Sequence, residues 1–103
     1  MTVVRVEVLT GPMDGLTHYS HEDELVIGLE GSADLGLDFD PRISRRHARL
    51  AFREGRLVLE DLGSRFGTWI GAQRLREPVE VSAGAVFTVG DTLIEVLGQG
   101  DSP

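Results

Sequence analysis

Short apolar runs broken by turn residues constrain the fold of this chain more than any other feature. The runs are rich in Val, Leu, Ile and Phe, and Gly, Pro and Asp separate them at intervals of about 8–12 residues. No amphipathic segment of helix length stands out. Ten runs are predicted to be strands, near Val3–Leu9, Leu16–Ser20, Leu25–Leu29, Leu35–Leu37, His47–Phe52, Leu57–Leu62, Thr68–Ile70, Val79–Val81, Ala85–Val89 and Thr92–Leu97. This pattern predicts an all-β fold, a β-sandwich of two mainly antiparallel sheets.

The length and composition favour one domain that folds without disulfides or a structural metal ion. A chain of 103 residues fits a single core, predicted over 1–98, with a flexible polar end at 99–103. Cysteine is absent, which excludes disulfides and thiolate metal sites. The first residues show no signal-peptide pattern, and the apolar runs are far shorter than a membrane span. We therefore expect a cytoplasmic protein that does not bind membranes.

Charge is distributed in two opposite blocks. Nine acidic residues and no Lys or Arg lie between Glu7 and Asp40, whereas seven arginines and three acidic residues lie between Arg42 and Arg65. Such blocks indicate either a surface for a charged partner or two segments that face each other in the fold. Nucleic acid is not expected as a partner, because the net charge of −7 and a pI near 4.8 would repel its backbone.

Two loop sequences concentrate the chemistry that binds an oxyanion. "DPRISRRH" and "GSRFGT" carry hydroxyl groups, arginines and glycine-exposed backbone amides. Forked guanidinium donors, a hydroxyl and bare N–H groups together suit a phosphate group. In strand His47–Phe52, by contrast, Arg49 and Arg53 alternate with apolar residues, so they are expected on the solvent face rather than in a binding site.

With these loops in view, the sequence resembles a forkhead-associated (FHA) domain, a reader of phosphothreonine peptides. The resemblance rests on Ile27-Gly28, on "DPRISRRHARL" from Asp40 to Leu50, on "LEDLGSRFGTWI" from Leu59 to Ile70, and on "VGD" at the end of the predicted Ala85–Val89 strand. It implies a sandwich of about eleven short strands that binds a phosphorylated partner through loops at one end. No cofactor and no enzymatic activity are expected.

The resemblance also implies roles for individual residues. Ser44 would donate its hydroxyl to the phosphate, Arg65 would contact phosphate or peptide, and Arg45 would add charge at the rim. The set expected to bind the phosphopeptide is Ser44, Arg45, Arg65, Phe66 and Thr68, and the set expected to shape the loops is Gly28, His47 and Gly67.

The sequence departs from the family pattern at two positions. The family usually has arginine, a principal phosphate ligand, where this chain has Leu29, and asparagine, which holds the peptide backbone, where it has Phe66. A charge-assisted hydrogen bond contributes about 1.5–3 kcal/mol. Loss of the arginine alone therefore predicts phosphate capture weaker by roughly ten- to a hundred-fold.

Three other hypotheses follow from the same residues. Phe66 at a loop tip suits a phosphate-independent interaction module with an apolar anchor, unless it folds back beside Trp69. Ser44, His47 and Asp61 can be drawn as a catalytic triad, although the chain lacks a G-x-S-x-G elbow. His18 and His21 have a ligand-like spacing, but surface histidines are the favoured interpretation and no metal site is expected.

Overall fold

The computed structural model describes residues 2–20 and 22–101, which contain eleven strands and no helix. The strands are β1 (Thr2–Val8), β2 (Thr17–Tyr19), β3 (Glu24–Gly28), β4 (Leu35–Gly36), β5 (Arg46–Arg53), β6 (Arg56–Asp61), β7 (Thr68–Ile70), β8 (Gln73–Arg74), β9 (Val79–Val81), β10 (Val86–Val89) and β11 (Thr92–Asp101). Each of the ten predicted runs coincides with a strand, so the all-β prediction is confirmed.

Two sheets form the sandwich. One has six strands in the order β2-β1-β11-β10-β7-β8, and the other has five in the order β4-β3-β5-β6-β9. The paired strands are antiparallel except β3 and β4, which run parallel with Ile27 opposite Leu35. The prediction of two mainly antiparallel sheets is therefore also confirmed.

The core lies between the sheets and follows the alternation of side chains along each strand. Val4, Val6 and Val8 of β1 are buried against Leu25, Leu50 and other aliphatic residues of the facing sheet. In β10 the inward residues are Phe87 and Val89. Val86 precedes them by one position and, although it is as apolar as its neighbours, points outward with 37% of its surface exposed.

Two strand features differ from the sequence pattern. Strand β8 was not predicted, because Gln73 and Arg74 are exposed and carry no apolar alternation; the strand forms by pairing with Trp69 and Ile70 of β7. Strand β11 continues beyond Leu97 to Asp101, because β1 offers backbone partners along this whole length. The predicted flexible end is thus paired as far as Asp101, and residues 102 and 103 lie outside the described residues.

Strands β5 and β6 bring the two phosphate-type loops to the same end of the sandwich. The first loop, residues 37–45, leads into β5, and β5 runs away from it to a tight hairpin at residues 53–56. Strand β6 then returns antiparallel and leads into the second loop, residues 62–67. We call this end the loop end and the opposite end of these two strands the hairpin end.

Candidate functional site

The first loop packs on β3 with no room for a side chain at Gly28. A Cβ atom at this position would lie 2.0 Å from the carbonyl oxygen of Arg45, so only glycine fits without moving the loop backbone. The next amide, that of Leu29, donates a hydrogen bond to the same carbonyl oxygen over 3.0 Å. Gly28 thus lets β3 hold the loop close behind Ser44, as expected for a loop-shaping glycine.

His47 ties the two loops together from inside the protein. Its side chain is fully buried, and its Nδ1 accepts a hydrogen bond from the backbone N–H of Ser44 over 3.1 Å. Because Nδ1 is an acceptor, the ring proton lies on Nε2, which donates to the carbonyl oxygen of Gly67 over 2.7 Å. His47 therefore braces one loop against the other, in agreement with the structural role that the resemblance implies.

Asp61, the last residue of β6, organises the second loop that follows it. One carboxylate oxygen accepts the backbone N–H groups of Gly63 and Ser64, and the other accepts the hydroxyl groups of Ser64 and Thr68. Burial raises the pKa of Asp61, but these hydrogen bonds to the charged form outweigh burial and leave the pKa below its ordinary value. The carboxylate is thus held ionised as the anchor of the loop.

Ser44 and Arg65 meet where the two loops come together. The backbone N–H of Arg65 donates to the hydroxyl oxygen of Ser44 over 3.1 Å. A hydroxyl that accepts one hydrogen bond still has its own proton to donate, and the described residues provide no acceptor for it. The side chains of Arg65 and Arg45 are exposed beside it. The junction therefore presents a hydroxyl donor flanked by positive charge.

Phe66 lies exposed at the tip of the second loop, while its backbone is fixed. The indole N–H of Trp69 donates to the carbonyl oxygen of Phe66 over 2.9 Å, and Gly67 follows with a φ of 88°, a conformation that favours glycine. The ring is 40% exposed, and the guanidinium carbons of Arg42 and Arg65 each lie 5.3 Å from its centroid. Phe66 therefore contacts one arginine from each loop.

Thr68 does not lie on the surface with the other residues expected to bind the peptide. It is fully buried at the start of β7, and its hydroxyl donates to Asp61 over 2.8 Å. The expected peptide contact is wrong for this structure, because the carboxylate draws the hydroxyl inward. Thr68 belongs to the frame of the second loop.

Sequence reasoning missed the carboxylates that hold the loops. Asp40 is a buried residue of the first loop and accepts hydrogen bonds from the backbone N–H groups of Arg42 and Asp91 and from the hydroxyl of Thr92. It thereby fastens this loop to the turn between β10 and β11. The signal was present, since Asp40 precedes a proline and Asp61 comes two residues before a glycine, as in side-chain-capped turns.

The suggested triad does not form. His47 uses Nδ1 to accept the Ser44 amide rather than to contact Asp61, and its Nε2 is committed to a backbone carbonyl. The Ser44 hydroxyl is bonded to the amide of Arg65 instead of to the imidazole. Among the residues that the structure describes, no base is therefore placed to take the proton of Ser44, as a serine nucleophile requires.

The described residues also bear on two further features, a metal site and a membrane span. Those residues contain no group of three or more His, Asp or Glu side chains placed to hold a metal ion. His18 lies in β2, whereas His21 lies outside the described residues, so the structure does not test the histidine pair. Within residues 2–20 and 22–101, no helix has the length and apolar character to cross a bilayer.

Comparison with known proteins identifies the frame just described. The sequence profile of the FHA domain matches residues 25–90, which include both loops, His47 and Asp61. The chain belongs to the FHA domain family. The FHA domain-containing protein FhaB of Mycobacterium tuberculosis is 34% identical over 89 residues, which are 86% of this chain. The chain spans only 57% of the length of that relative.

Solved FHA domains share the whole fold. One comes from a structural and functional analysis of phosphothreonine-dependent FHA domain interactions; it is 25% identical, with a TM-score of 0.76 over 98% of each chain. The FhaA FHA domain, solved in complex with the intracellular domain of Rv3910, is 27% identical, with a TM-score of 0.76 over 90% of this chain and 98% of that one. The similarity extends beyond the profile match to β1, β2 and β11.

Proposed function

We propose that this FHA domain binds a phosphothreonine-containing segment of a signalling partner at its loop end. The observation that carries the proposal is the convergence of Ser44 and Arg65, joined by a hydrogen bond from the amide of Arg65 to the Ser44 hydroxyl. In this arrangement Ser44 donates its hydroxyl proton to a phosphate oxygen, Arg65 supplies positive charge, and Arg45 adds charge from the rim. The phosphothreonine-dependent interactions described for a similar FHA domain support this assignment.

The loop frame gives the proposal its physical basis. His47, Asp61 and Asp40 hold the loop backbone with buried or partly buried hydrogen bonds, so the phosphate ligands are positioned before the peptide arrives. Preorganised donors bind an anion more tightly than mobile ones, because less ordering entropy is lost on binding. The exposed side chains of Arg45 and Arg65 then contact the phosphate from loops whose backbone is already fixed.

The test is a titration of a phosphothreonine peptide library, followed by fluorescence anisotropy, against the same peptides without phosphate. We expect Ser44→Ala and Arg65→Ala each to weaken phosphopeptide binding by roughly ten- to a hundred-fold, because each removes a charge-assisted hydrogen bond. Arg56→Ala, which removes an exposed arginine at the hairpin end, is the matched control and should bind as the wild type does. Equal affinity for phosphorylated and unphosphorylated peptides would rule out the proposal.

A phosphate-independent interface is the second candidate, and the exposure of Phe66 at the loop tip favours it. Exposed aromatic residues are frequent energetic centres of protein interfaces. Under this alternative, Phe66→Ala abolishes association with the partner, whereas Arg65→Ala and removal of the phosphate leave it intact. The two candidates thus predict opposite rankings of two neighbouring substitutions.

We further propose that the domain works in the cytoplasm as part of a larger protein or a signalling complex. Support for the larger assembly comes from FhaB, of whose length the chain covers 57%. A sequence without cysteine suits a compartment in which disulfides do not form. Size-exclusion chromatography of the native protein from fractionated cells tests both points.

A further inference from the structure

The two departures from the family pattern both lie at the loop end: Leu29 follows β3 and bonds to Arg45 of the first loop, and Phe66 lies in the second loop. Leu29 keeps the backbone contact of this position, since its amide bonds to Arg45, but its side chain supplies no charge. Phe66 occupies the position of the usual asparagine and cannot hold a peptide backbone by hydrogen bonds. One substitution removes a cation from the loop end, and the other adds an aromatic ring there.

The ring of Phe66 organises two cations. The guanidinium carbons of Arg42 and Arg65 lie 5.3 Å from its centroid, within the distance of about 6 Å at which a cation is attracted to an aromatic face. The backbone that carries the ring is held in place, because the carbonyl group of Phe66 accepts a hydrogen bond from the indole of Trp69. An asparagine at this position would offer no such face.

The backbone of Arg42 is fixed by a hydrogen bond, whereas its side chain is held only by an exposed ion pair. Its amide is bonded to the buried carboxylate of Asp40 over 2.9 Å, which fixes where the side chain begins. Its Nε lies 3.6 Å from a carboxylate oxygen of Asp91, and both side chains are more than half exposed. Exposed ion pairs of this kind contribute little, so an incoming phosphate can replace Asp91 as the partner of Arg42.

We propose that Arg42, positioned by the Phe66 ring, replaces the family's usual arginine as the second cationic ligand of the phosphate, beside Arg65. This inference rests on the proposed function and deepens it. The cluster holds two guanidinium groups against one carboxylate, and among the described residues no carboxylate pairs with Arg65. A phosphothreonine with a charge of nearly −2 at neutral pH therefore meets a site with an excess of positive charge. Leu29 and Phe66 are thus a compensating pair of changes.

The first test compares Arg42→Ala with Asp91→Ala in the binding of one phosphothreonine peptide. We expect Arg42→Ala to weaken binding by roughly ten- to a hundred-fold, as for loss of any charged phosphate ligand. Asp91→Ala removes the competing carboxylate, so binding should be unchanged or tighter. If Arg42 served only to hold the loop through its ion pair, both variants would bind equally weakly, and that result would overturn the inference.

The second test distinguishes the aromatic face of Phe66 from its apolar volume. Phe66→Leu keeps an apolar side chain but removes the aromatic face, and we expect roughly five-fold weaker binding. Phe66→Trp keeps the face and should bind like the wild type. The loss caused by Phe66→Leu should be smaller when Arg42 is already alanine, because one of the two positioned cations is then absent. Equal affinities of the wild type and Phe66→Leu would contradict the positioning role.

The third test restores the family residue. Leu29→Arg should recover binding in the Arg42→Ala variant, because it returns a cation at the usual family position. Wild-type affinity in Arg42→Ala alone, together with loss in Arg65→Ala, would refute the role of Arg42 and leave the proposed function standing. Absence of any phosphate dependence in the wild type would instead refute the proposed function itself. Fluorescence of Trp69, the single tryptophan, verifies that the second loop is intact in each variant.

Discussion

The arginines of the loop end and those of strands β5 and β6 come from one stretch of sequence but have different surroundings. Arg49, Arg53 and Arg56 each form an ion pair with a glutamate on a neighbouring strand, drawn from Glu24, Glu60 and Glu80. We call them the strand arginines. At the loop end, Arg45 and Arg65 have no carboxylate within 4.0 Å among the described residues, and Arg42 has only an exposed pair.

These arginines of the positive block thus fall into two groups, the strand arginines, which are paired within the sheet, and the loop arginines, which are proposed to bind the ligand. The strand arginines neutralise part of the acidic block, since Glu24 contacts both Arg49 and Arg53. Among the described residues, the loop arginines Arg45 and Arg65 have no such partner, and Arg42 pairs only with the exposed Asp91. The interpretation in which the two blocks face each other is therefore confirmed for Arg49 and Arg53, whereas a surface for a charged partner stays a prediction for the loop arginines.

His47→Ala should have the largest effect on the free energy of unfolding. It leaves the amide of Ser44 and the carbonyl of Gly67 buried without partners, and each such loss costs about 1–3 kcal/mol. With the packing lost by truncating a fully buried side chain, we expect about 3–5 kcal/mol in urea denaturation. A change below about 1 kcal/mol would show that the brace is dispensable.

Asp61→Asn should destabilise the protein by about 2 kcal/mol at neutral pH, since hydrogen bonds to a charged group are worth about 1.5–3 kcal/mol each and one amide oxygen remains. The pKa of Asp61 is lowered in the folded state, so its carboxylate stabilises the fold fully above the unfolded value of about 3.9. This contribution is lost as the pH falls through the folded pKa.

The difference in unfolding free energy between wild type and Asp61→Asn should therefore be constant above about pH 5 and shrink below about pH 4. Urea denaturation at a series of pH values measures this, and subtracting the variant removes the titration of the other carboxylates. A difference that grew on acidification would contradict the lowered pKa and the role of Asp61 as an ionised anchor.

Some features of this fold could be predicted from the sequence and others could not. Strand positions were predictable because alternation of Val, Leu and polar residues marks the buried face directly. Strand β8 was not, since its residues are exposed and only pairing with β7 defines it. In β10 two adjacent apolar residues point to opposite faces of the sheet, and only the folded structure shows that Phe87 is the buried one and Val86 the exposed one.

At the site, the sequence predicted Ser44, Arg65 and His47 because their spacing matches a family motif. It did not predict that Thr68 is buried, because a hydroxyl can face either solvent or a carboxylate, and the position of Asp61 decides. The contact of Arg42 with Phe66 joins residues from separate loops, so local patterns carry no signal for it. Contacts of this kind depend on loop conformations that only the folded backbone fixes.

Arg49→Ala should have a smaller effect than either anchor variant. It removes the cation that lies between Glu24 and Glu60 on the outer face of the sheet, with its side chain 26% exposed. Partly exposed pairs contribute about 0.2–1 kcal/mol, and we expect a destabilisation near 1 kcal/mol because two carboxylates lose one partner. The loss should diminish at high salt, when the two remaining carboxylates repel each other less.

Binding of the phosphothreonine peptide by Arg49→Ala should equal that of the wild type, measured by anisotropy under the conditions used for Arg65→Ala. The side chain lies in the middle of β5, and its guanidinium pairs with Glu24 of β3 and Glu60 of β6 rather than with a residue of either loop. A loss of affinity comparable with that of Arg65→Ala would mean that the peptide is steered by the overall charge of the arginine block rather than by the loop end.

Arg56→Ala is expected to cause the smallest change and gives the sharpest comparison. Its side chain is 71% exposed at the hairpin end, and its guanidinium lies 4.0 Å from Glu80, so removal should alter the free energy of unfolding by less than about 0.5 kcal/mol. It changes the net charge by the same amount as Arg65→Ala. At 0.1 M salt, screening limits the interaction between exposed charges to a distance of about 10 Å. Only the substitution at the loop end should therefore weaken peptide binding. Equal losses in the two variants, measured side by side at that salt concentration, would show that the two ends of β5 and β6 do not differ in function.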